Sequence, residues 1–536
     1  MIVHKPSKSL VLKVRPKTLA QLMGIFPSHH KLLDYDGHNI AVPHNLAVVK
    51  VLRNMGIKAP SPIRYYYDWP RPARFESVFD HQYATADFLT LHSRCFVLNE
   101  MGTSKTACVL WAADYLMRLG KIKRALIVAP LSTLKDTWLQ EIFSVCMHRT
   151  GMILHADAER RRDRLSKPAD FYIINPAGLK VLKKDLLARK DIDVVIVDEC
   201  SDYRNGQTEQ YEILEQITQG RKLWMLSGAP CPTAPTDAWA LARLVDKSRV
   251  PKFFSQWRRE TMYQVSQHKW VPRPGSNELA YNALQPAIRF KKADCLQLPP
   301  VTFLNRSAEL SVEQGRTYLA MKNHLVAEAQ GEKITAANAA IKIIKLRQIL
   351  CGAVKREDGT YITIDHKPRL RVLQELIEQS SSKVLIIVPF KGIARALAEE
   401  LRIWHNLRGD GRRVEVVNGD VSQTKRDKIW HDFRNDASLT EAVCHPKVMA
   451  HGLTLTDADM VVFYAPIYSN DQSMQVMDRI NRPGQKRKMT IARIAANRFE
   501  QEIYAMVEGR RITQESMLDL YKRELGLDLA QVRIAA

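Results

Sequence analysis

The chain has 536 residues, 46% hydrophobic and 26% charged, with a formal net charge of +23. That length exceeds one ordinary hydrophobic core and calls for two or more domains, while no apolar run reaches the roughly 18 to 20 residues of a membrane span. The basic excess favours a polyanionic partner, nucleic acid ahead of acidic protein surfaces, and eight scattered cysteines without a CxxC pair argue against a zinc ribbon or disulfide framework and fit a reducing cytoplasm.

The N-terminal stretch MIVHKPSKSLVLKVRPKTLA has no continuous apolar segment before a small-residue cleavage site, so no secretory signal is read there. Residues 1–75 hold short β-like runs (SLVLKV, HNIAVP), a short helix (NLAVVKVLRNMG) and then Pro-rich punctuation (APSPIRYYYDWPRPARF). This reads as a small α+β accessory module ending in a linker. Its stretch Arg64-Tyr65-Tyr66-Tyr67-Asp68-Trp69-Pro70-Arg71 mixes cations with aromatics. Such a mixture either stacks nucleic-acid bases or packs as an aromatic linker on the next domain.

From 76 to 304 the apolar runs CFVLNE, RALIVAP, FYIINP, VVIVDE and LWMLSG alternate with helical stretches. Near-continuous apolar strands separated by helices mean a parallel sheet covered on both faces, with ligands at the carboxyl ends of its strands. Residues 305–366 read as helical, chiefly SVEQGRTYLAMKNHLVAEAQ and AANAAIKIIKLRQIL. The alternation returns over 367–505 with KVLIIVPF, RRVEVVNG, EAVCHP, DMVVFYAP and MTIARIAA, and 506–536 reads as a helical tail. The fold class is therefore α/β, with two parallel-sheet lobes in tandem, a helical inter-lobe segment and the small N-terminal module.

The strand CFVL runs into Asn99-Glu100-Met101-Gly102-Thr103-Ser104-Lys105-Thr106 and then the helix ACVLWAADYLMRL. Strand, tight turn and helix N-terminus make an anion site, because backbone N–H groups and the helix dipole face the ligand. Met101, Gly102, Thr103 and Ser104 would line the phosphates, Lys105 would reach the outer ones, and the Thr106 hydroxyl would hold Mg²⁺. Serine stands at 104 where a glycine is usual, and glycine is favoured there for its freedom at unusual dihedrals. Downstream, DVVIVDE delivers Asp198 and Glu199 to a strand end. In an ATPase, Asp198 binds the Mg²⁺ and Glu199 orients and deprotonates the attacking water. An ordinary loop and a solvated strand end are the bland alternatives.

Taken in order, these motifs resemble the Swi/Snf-related helicase-like ATPases of helicase superfamily 2, the compact bacteriophage-type members above all. The resemblance spans roughly 76–505 and implies RecA-like lobes, ATP as substrate and Mg²⁺ as cofactor. Gln82 in Asp80-His81-Gln82 is similar to the family's adenine reader. Pro130-Leu131-Ser132 with Trp138 and Glu141 resembles its first DNA-contact motif, in which Trp138 reads as core packing. Tyr203-Arg204-Asn205 resembles its basic-Asn step. Leu226-Ser227-Gly228-Ala229-Pro230 resembles the motif coupling hydrolysis to lobe movement, with Ala229 where the family has threonine. Arg289-Phe290-Lys291-Lys292 and Leu298-Pro299-Pro300 match its basic exit segment, and Leu346-Arg347-Gln348-Ile349-Leu350 its helix before lobe two. His451-Gly452-Leu453-Thr454-Leu455 resembles the loop touching DNA and nucleotide, and Gln475 through Gln485 its arginine motif.

The resemblance implies catalytic roles for Glu199, Arg479 and Arg482, with both arginines on one helical face. It implies ATP contacts at Gln82, the phosphate loop, Gly452 and Gln475, and DNA contacts at Ser132, Asn205, Lys447, His451 and Thr454. ATP would lie between the lobes. The partner would be DNA, duplex or forked and sequence-tolerant, ahead of RNA, with no membrane. A strand-separating helicase on DNA or RNA, and a binding module with a feeble ATPase, remain the competing functions.

Overall fold

The computed structural model describes residues 1–35, 38–71, 77–231, 234–266, 269–296, 298–331, 344–356, 358, 360–449, 454–482 and 484–509. It forms two compact units, Met1–Leu296 and Gln297–Ala536.

The first unit opens with four antiparallel strands, β1 (Ile2–His4), β2 (Ser9–Leu12), β3 (His30–Tyr35) and β4 (His38–Pro43), in the order β1-β2-β4-β3. The helix Leu46–Asn54 follows, its N-terminus capped by the Asn45 side chain, which accepts from the Val48 amide. Alternation in β2 sends Leu10 and Leu12 inward. These residues, with Ile40, Val42, Val49 and Leu52, join one continuous core with Trp111, Ala112 and Tyr115 of the following lobe.

Of the aromatic stretch, Tyr67 and Trp69 are buried in that core. Trp69 packs edge-on against Trp111, Tyr67 and Tyr83. The Tyr67 hydroxyl donates to Asp114 at 2.8 Å, and the Trp111 indole donates to the Pro70 carbonyl at 2.7 Å. This half of the stretch is a packed linker, and base stacking by Tyr67 or Trp69 is ruled out by burial.

The main sheet of this unit contains β5 (Arg94–Val97), β6 (Arg124–Val128), β7 (Gly151–Ile153), β8 (Phe171–Ile174), β9 (Ile192–Val197) and β10 (Lys222–Leu226). A hairpin of β11 (Met262–Ser266) and β12 (Lys269–Pro272) stands apart, and β13 (Ala287–Ile288) returns to the sheet edge. The order is β13-β5-β10-β9-β6-β8-β7, all parallel. Alternate residues of each strand feed two cores. Val97, Ile127 and Ile196 lie in one, and Phe96, Leu126 and Val195 in the other. The helix between β5 and β6, Lys105–Arg118, is apolar almost all round because it is covered by the N-terminal module as well as by the sheet.

The second unit contains β14 (Val301–Ser307), the hairpin β15 (Ala353–Lys355) and β16 (Tyr361–Thr363), and then β17 (Lys383–Ile387), β18 (Arg413–Val417), β19 (Leu439–Cys444), β20 (Ala458–Phe463) and β21 (Met489–Ala495). Its sheet runs β14-β21-β20-β17-β19-β18, all parallel. The edge strand β14 pairs with β21 along its whole length, so residues 301–304, which the sequence groups with lobe one, belong to this sheet. The helix Val312–Gly331 and helical residues 344–350 pack Tyr318, Leu346, Ile349 and Leu350 against Phe499 and Ile503 of the helix Arg498–Glu508. That terminal helix is tied to the sheet by a buried Arg369–Glu500 ion pair, whose arginine also donates to the Tyr464 carbonyl at 2.7 Å. The start of AANAAIKIIKLRQIL and the tail from 510 onward lie outside the described residues. Among those described, no helix is long and apolar enough to cross a membrane, and all eight cysteines are unpaired.

Candidate functional site

Strand register sets the site of the first unit. Val97 pairs with Leu226, Met225 with Val197, and Val197 with Val128. The carboxyl ends of β5, β10, β9 and β6 therefore lie at one level, and the loop after each strand carries one of the motifs. The edge is stitched by backbone bonds from the Ser227 amide to the Val97 carbonyl (3.1 Å) and from the Asp198 amide to the Val128 carbonyl (2.8 Å).

After β5 the chain turns sharply, with Gly102 at φ 81° and Ser104 at φ 58°, ψ 42°. Left-handed backbone suits glycine and costs an ordinary residue about 1 kcal/mol. Ser104 adopts the geometry that the missing glycine would have supplied. The helix begins at Lys105, whose ammonium donates to the Asn99 carbonyl at 2.7 Å and the Glu100 carbonyl at 3.3 Å, and Thr106 lies in its first turn.

Neighbouring segments brace the loop. Asn99 is buried; its side chain donates to the Thr85 hydroxyl at 2.9 Å and accepts from the Phe290 amide at 3.0 Å. Thr85 in turn donates to the His81 carbonyl at 2.7 Å. Burial lowers the His81 pKa, so the ring is neutral and donates from Nε2 to the Thr103 carbonyl at 3.1 Å. The Glu100 carboxylate accepts from the Lys292 amide at 2.9 Å, and the Glu100 amide donates to the Phe290 carbonyl at 3.0 Å. The basic segment Arg289–Lys292 and the helix carrying Asp80-His81-Gln82 thus flank the loop from two sides. Gln82 is buried, and its amide oxygen accepts from the Phe79 amide at 2.9 Å. Gly228 comes close as well, since a Cβ there would stand 3.5 Å from the Met101 backbone nitrogen.

The acidic pair follows β9. Asp198 accepts from the Trp138 indole N–H at 3.0 Å and from the Glu199 amide at 3.1 Å. Burial pushes the Asp198 carboxyl up, opposed by the indole bond and by the charge of Lys105. Glu199 sits at φ 52°, ψ 53°. Among the described residues four non-glycine positions have positive φ, and two of them, Ser104 and Glu199, lie on this edge. Backbone held in such conformations concentrates at functional sites. A half-buried carboxylate, a hydroxyl at a helix start and a lysine beside a left-handed loop form a donor set suited to a hydrated Mg²⁺ and a polyphosphate.

Of the residues assigned to DNA, Ser132 lies in the turn Leu131–Thr133 after β6, beside an exposed Leu131. Asn205 is exposed and caps a turn by accepting from the Gln207 amide at 3.0 Å. In the second unit, Lys447 is exposed in the turn Pro446–Met449. His451 and Gly452 lie outside the described residues.

The arginine motif departs from its expected geometry. The helix carrying Gln475 spans Asn470–Ile480, so Arg482 lies beyond it and does not share a helical face with Arg479. Asn481 takes the C-cap, and Pro483, which cannot donate to a helix, follows at once. Arg479 is 2% exposed, and its Nε donates to the Met449 carbonyl at 3.0 Å. Arg482 donates from Nη1 to the Thr454 hydroxyl at 3.1 Å and from Nε to the Asp478 carbonyl at 2.8 Å.

The sequence reading missed the polar frame of the site. Trp138 reads as core packing and is fully buried, yet its one polar atom serves Asp198. His81, Thr85 and Asn99 carry only a weak signal, polar residues at the inner ends of apolar elements.

Residues 52–354 match the SNF2-related domain, and residues 368–484 match the helicase conserved C-terminal domain. The ISWI chromatin-remodeling complex ATPase ISW1 of Saccharomyces cerevisiae is 26% identical over 78% of this chain and 38% of its own length. Putative protein p41 of Acyrthosiphon pisum secondary endosymbiont phage 1 is 24% identical over 79% of this chain and 94% of its own. The solved Sulfolobus solfataricus SWI2/SNF2 ATPase core in complex with dsDNA is 17% identical, covers 87% of this chain and 99% of that one, and has a TM-score of 0.39.

Proposed function

The chain belongs to the SNF2-related family of helicase-like ATPases, and from that premise we propose that it couples ATP hydrolysis to movement along DNA or remodelling of it. What supports this reading most is the single edge on which strand register aligns the Ser104–Lys105 loop with Asp198 and Glu199. In this reading the loop amides and Lys105 bind the triphosphate, and Thr106 and Asp198 hold Mg²⁺. The bound Mg²⁺ supplies charge neutralisation on the phosphate oxygens. Glu199 orients the attacking water and takes its proton. The Trp138 indole keeps Asp198 aimed. Arg482 serves the transferred phosphoryl group, whose charge a guanidinium can match with paired donors. The net charge of +23 favours DNA as the polymer, gripped at phosphates and therefore without sequence preference. The name of one relative supports the motor reading, ISW1 being called a chromatin-remodeling complex ATPase.

The alternative of a binding module with a feeble ATPase rests on Ser104 and Ala229. Ser104 nevertheless takes up the left-handed turn, which favours a working loop. The deciding experiment is ATP hydrolysis without DNA and with single-stranded, duplex and forked DNA, beside Glu199→Gln. DNA-stimulated turnover abolished in Glu199→Gln supports the motor. Tight DNA binding without turnover on any substrate supports the binding module. Strand displacement on forks separates a helicase from a translocase.

A further inference from the structure

The aromatic stretch that separates the module from lobe one divides into two halves. Tyr67 and Trp69 turn inward, whereas Tyr65 and Tyr66 stay half-exposed on a short helix, Ile63–Tyr66. Opposite them stands the turn between β1 and β2, Lys5-Pro6-Ser7-Lys8. The Lys5 ammonium lies 5.9 Å from the Tyr65 ring centre and the Lys8 ammonium 5.8 Å from that of Tyr66. Lys8 is another non-glycine residue in the left-handed region, at φ 49°. The turn is closed by bonds from the Lys8 amide to the Lys5 carbonyl (3.1 Å) and from the His44 amide to the Lys8 carbonyl (2.7 Å).

His44 sets the rings. Burial lowers its pKa, and the neutral ring donates from Nε2 to the Pro60 carbonyl at 2.9 Å. Its Nδ1 is then an acceptor and receives the Tyr66 hydroxyl proton at 3.0 Å. Both tyrosines meet the imidazole edge-on, with ring centres 5.6 and 5.3 Å away. Two lysines and two oriented aromatic rings, drawn from segments sixty residues apart, therefore share one surface. The module around them is strongly basic: residues 1–64 contain ten Lys and Arg but only Asp34 and Asp36 as acids, a balance of +8.

We propose that this surface is an accessory DNA site, separate from the motor lobes, that takes an unpaired strand. Lysines at fixed positions meet backbone phosphates, and tyrosine rings offer the stacking platforms that unpaired bases use irrespective of sequence. A blunt duplex hides its base faces and gains only the phosphate contacts. The site would therefore direct the enzyme to junctions of duplex and single strand. This rests on the DNA-dependent motor reading for its purpose but not for its test.

The full chain is compared with Lys5→Gln/Lys8→Asn by fluorescence anisotropy on a labelled fork with one single-stranded arm and on a blunt duplex of the same length. Asparagine tolerates the left-handed turn at position 8, and both lysines are exposed, so the fold is retained. Affinity for the fork is expected to fall about fivefold to tenfold, with a shallower salt dependence, while the blunt duplex changes by less than about twofold. Tyr65→Ala, which leaves the Tyr66–His44 bond intact, should lower fork affinity by about fivefold with an unchanged salt slope, since stacking carries no counterion release. Wild-type fork affinity in the lysine variant overturns the proposal, as does an equal loss on fork and duplex. Absence of DNA-stimulated ATP turnover in the unmodified chain counts against the motor reading alone, because the binding comparison is read without ATP.

Discussion

The indole N–H of Trp138 donates to the carboxylate of Asp198 at 3.0 Å, linking the helical segment after β6 to the acidic end of β9. A hydrogen bond to a charged group is worth about 1.5 to 3 kcal/mol, and here it also fixes the direction of a half-buried carboxylate. Trp138→Phe keeps the ring and removes the donor. Its ATP turnover is expected to fall about tenfold, the equivalent of roughly 1.4 kcal/mol, with a raised Mg²⁺ requirement and near-normal DNA binding. Turnover titrated against Mg²⁺ checks this, and an unchanged Mg²⁺ midpoint would remove Trp138 from the role.

Ser104 holds a conformation that glycine adopts at lower cost. Ser104→Gly should therefore fold normally, keep or raise ATP affinity, and gain up to about 1 kcal/mol of local stability. Ser104→Val should do the reverse, because a β-branched side chain is least tolerant of positive φ. The KM for ATP and the Tm of both variants read the prediction. A Ser104→Gly protein with much weaker ATP binding would mean that the serine hydroxyl is used and the loop is not a glycine-type phosphate loop.

Asp114 joins the N-terminal module to lobe one. Its side chain is wholly buried and receives Tyr67 Oη (2.8 Å), Arg118 Nε (2.9 Å), Arg149 Nε (2.7 Å) and His148 Nε2 (2.9 Å). Burial alone raises its pKa, but donors from Arg149, His148 and Tyr67 outweigh burial and hold the carboxyl below its ordinary range. The pair of arginines and the hydroxyl stabilise the ionised form only. The stability they contribute is therefore complete above the unfolded-state pKa of about 3.9 and is lost as pH falls through the lower folded value. Asp114→Asn replaces the buried carboxylate that Arg118 and Arg149 share by a neutral amide, while Arg118 keeps Asp68 and Arg149 keeps Asp170, and should cost about 1.5 to 3 kcal/mol at neutral pH, and Tyr67→Phe about 1 kcal/mol. Chemical denaturation of the chain at pH 7 and pH 4 tests both magnitude and sign, with the gap between wild type and Asp114→Asn narrowing at the lower pH.

Much of this architecture is legible in the sequence, for reasons of chemistry. Runs such as VVIVDE and KVLIIVPF are apolar on both faces, and only covered parallel sheets use such strands, so β9 and β17 follow directly. The phosphate loop is readable because a strand, a turn and a helix start succeed one another within a few residues. What escapes is whatever depends on contacts between distant segments. Trp138 looks like any buried tryptophan until β9 arrives beside it. Tyr67 and Tyr65 are chemically identical, and only the fold turns one inward and leaves the other beside Lys5. The edge strand β14 alternates too weakly to declare its sheet, since none of its residues is buried and several are exposed. Arg479 and Arg482 are spaced for a common helical face, but the helix stops at Ile480 before the second arginine is reached.

That stop separates the two arginines in consequence as well as in place. Arg479 is buried, and it binds the two ends of one segment, donating to the Met449 carbonyl and accepting the Leu455 amide through its own carbonyl (2.9 Å). Arg479→Ala should therefore lower the stability of the second unit by about 2 to 4 kcal/mol, through the Met449 carbonyl left without its donor and a cavity, and lose activity as a result. Arg482 is half-buried in the turn, held by the Thr454 hydroxyl and the Asp478 carbonyl. Arg482→Ala should cost no more than about 1 kcal/mol of stability, given the small net worth of such hydrogen bonds, yet lower DNA-stimulated turnover by about 10³-fold if it serves the phosphoryl group. Arg482→Lys tests the requirement for a fork of donors, with an expected recovery of less than about tenfold. The pairing of Tm with turnover distinguishes the roles. An Arg479→Ala protein of normal stability and no activity would transfer the phosphate role to the buried arginine, and full activity in Arg482→Ala would deny it to Arg482.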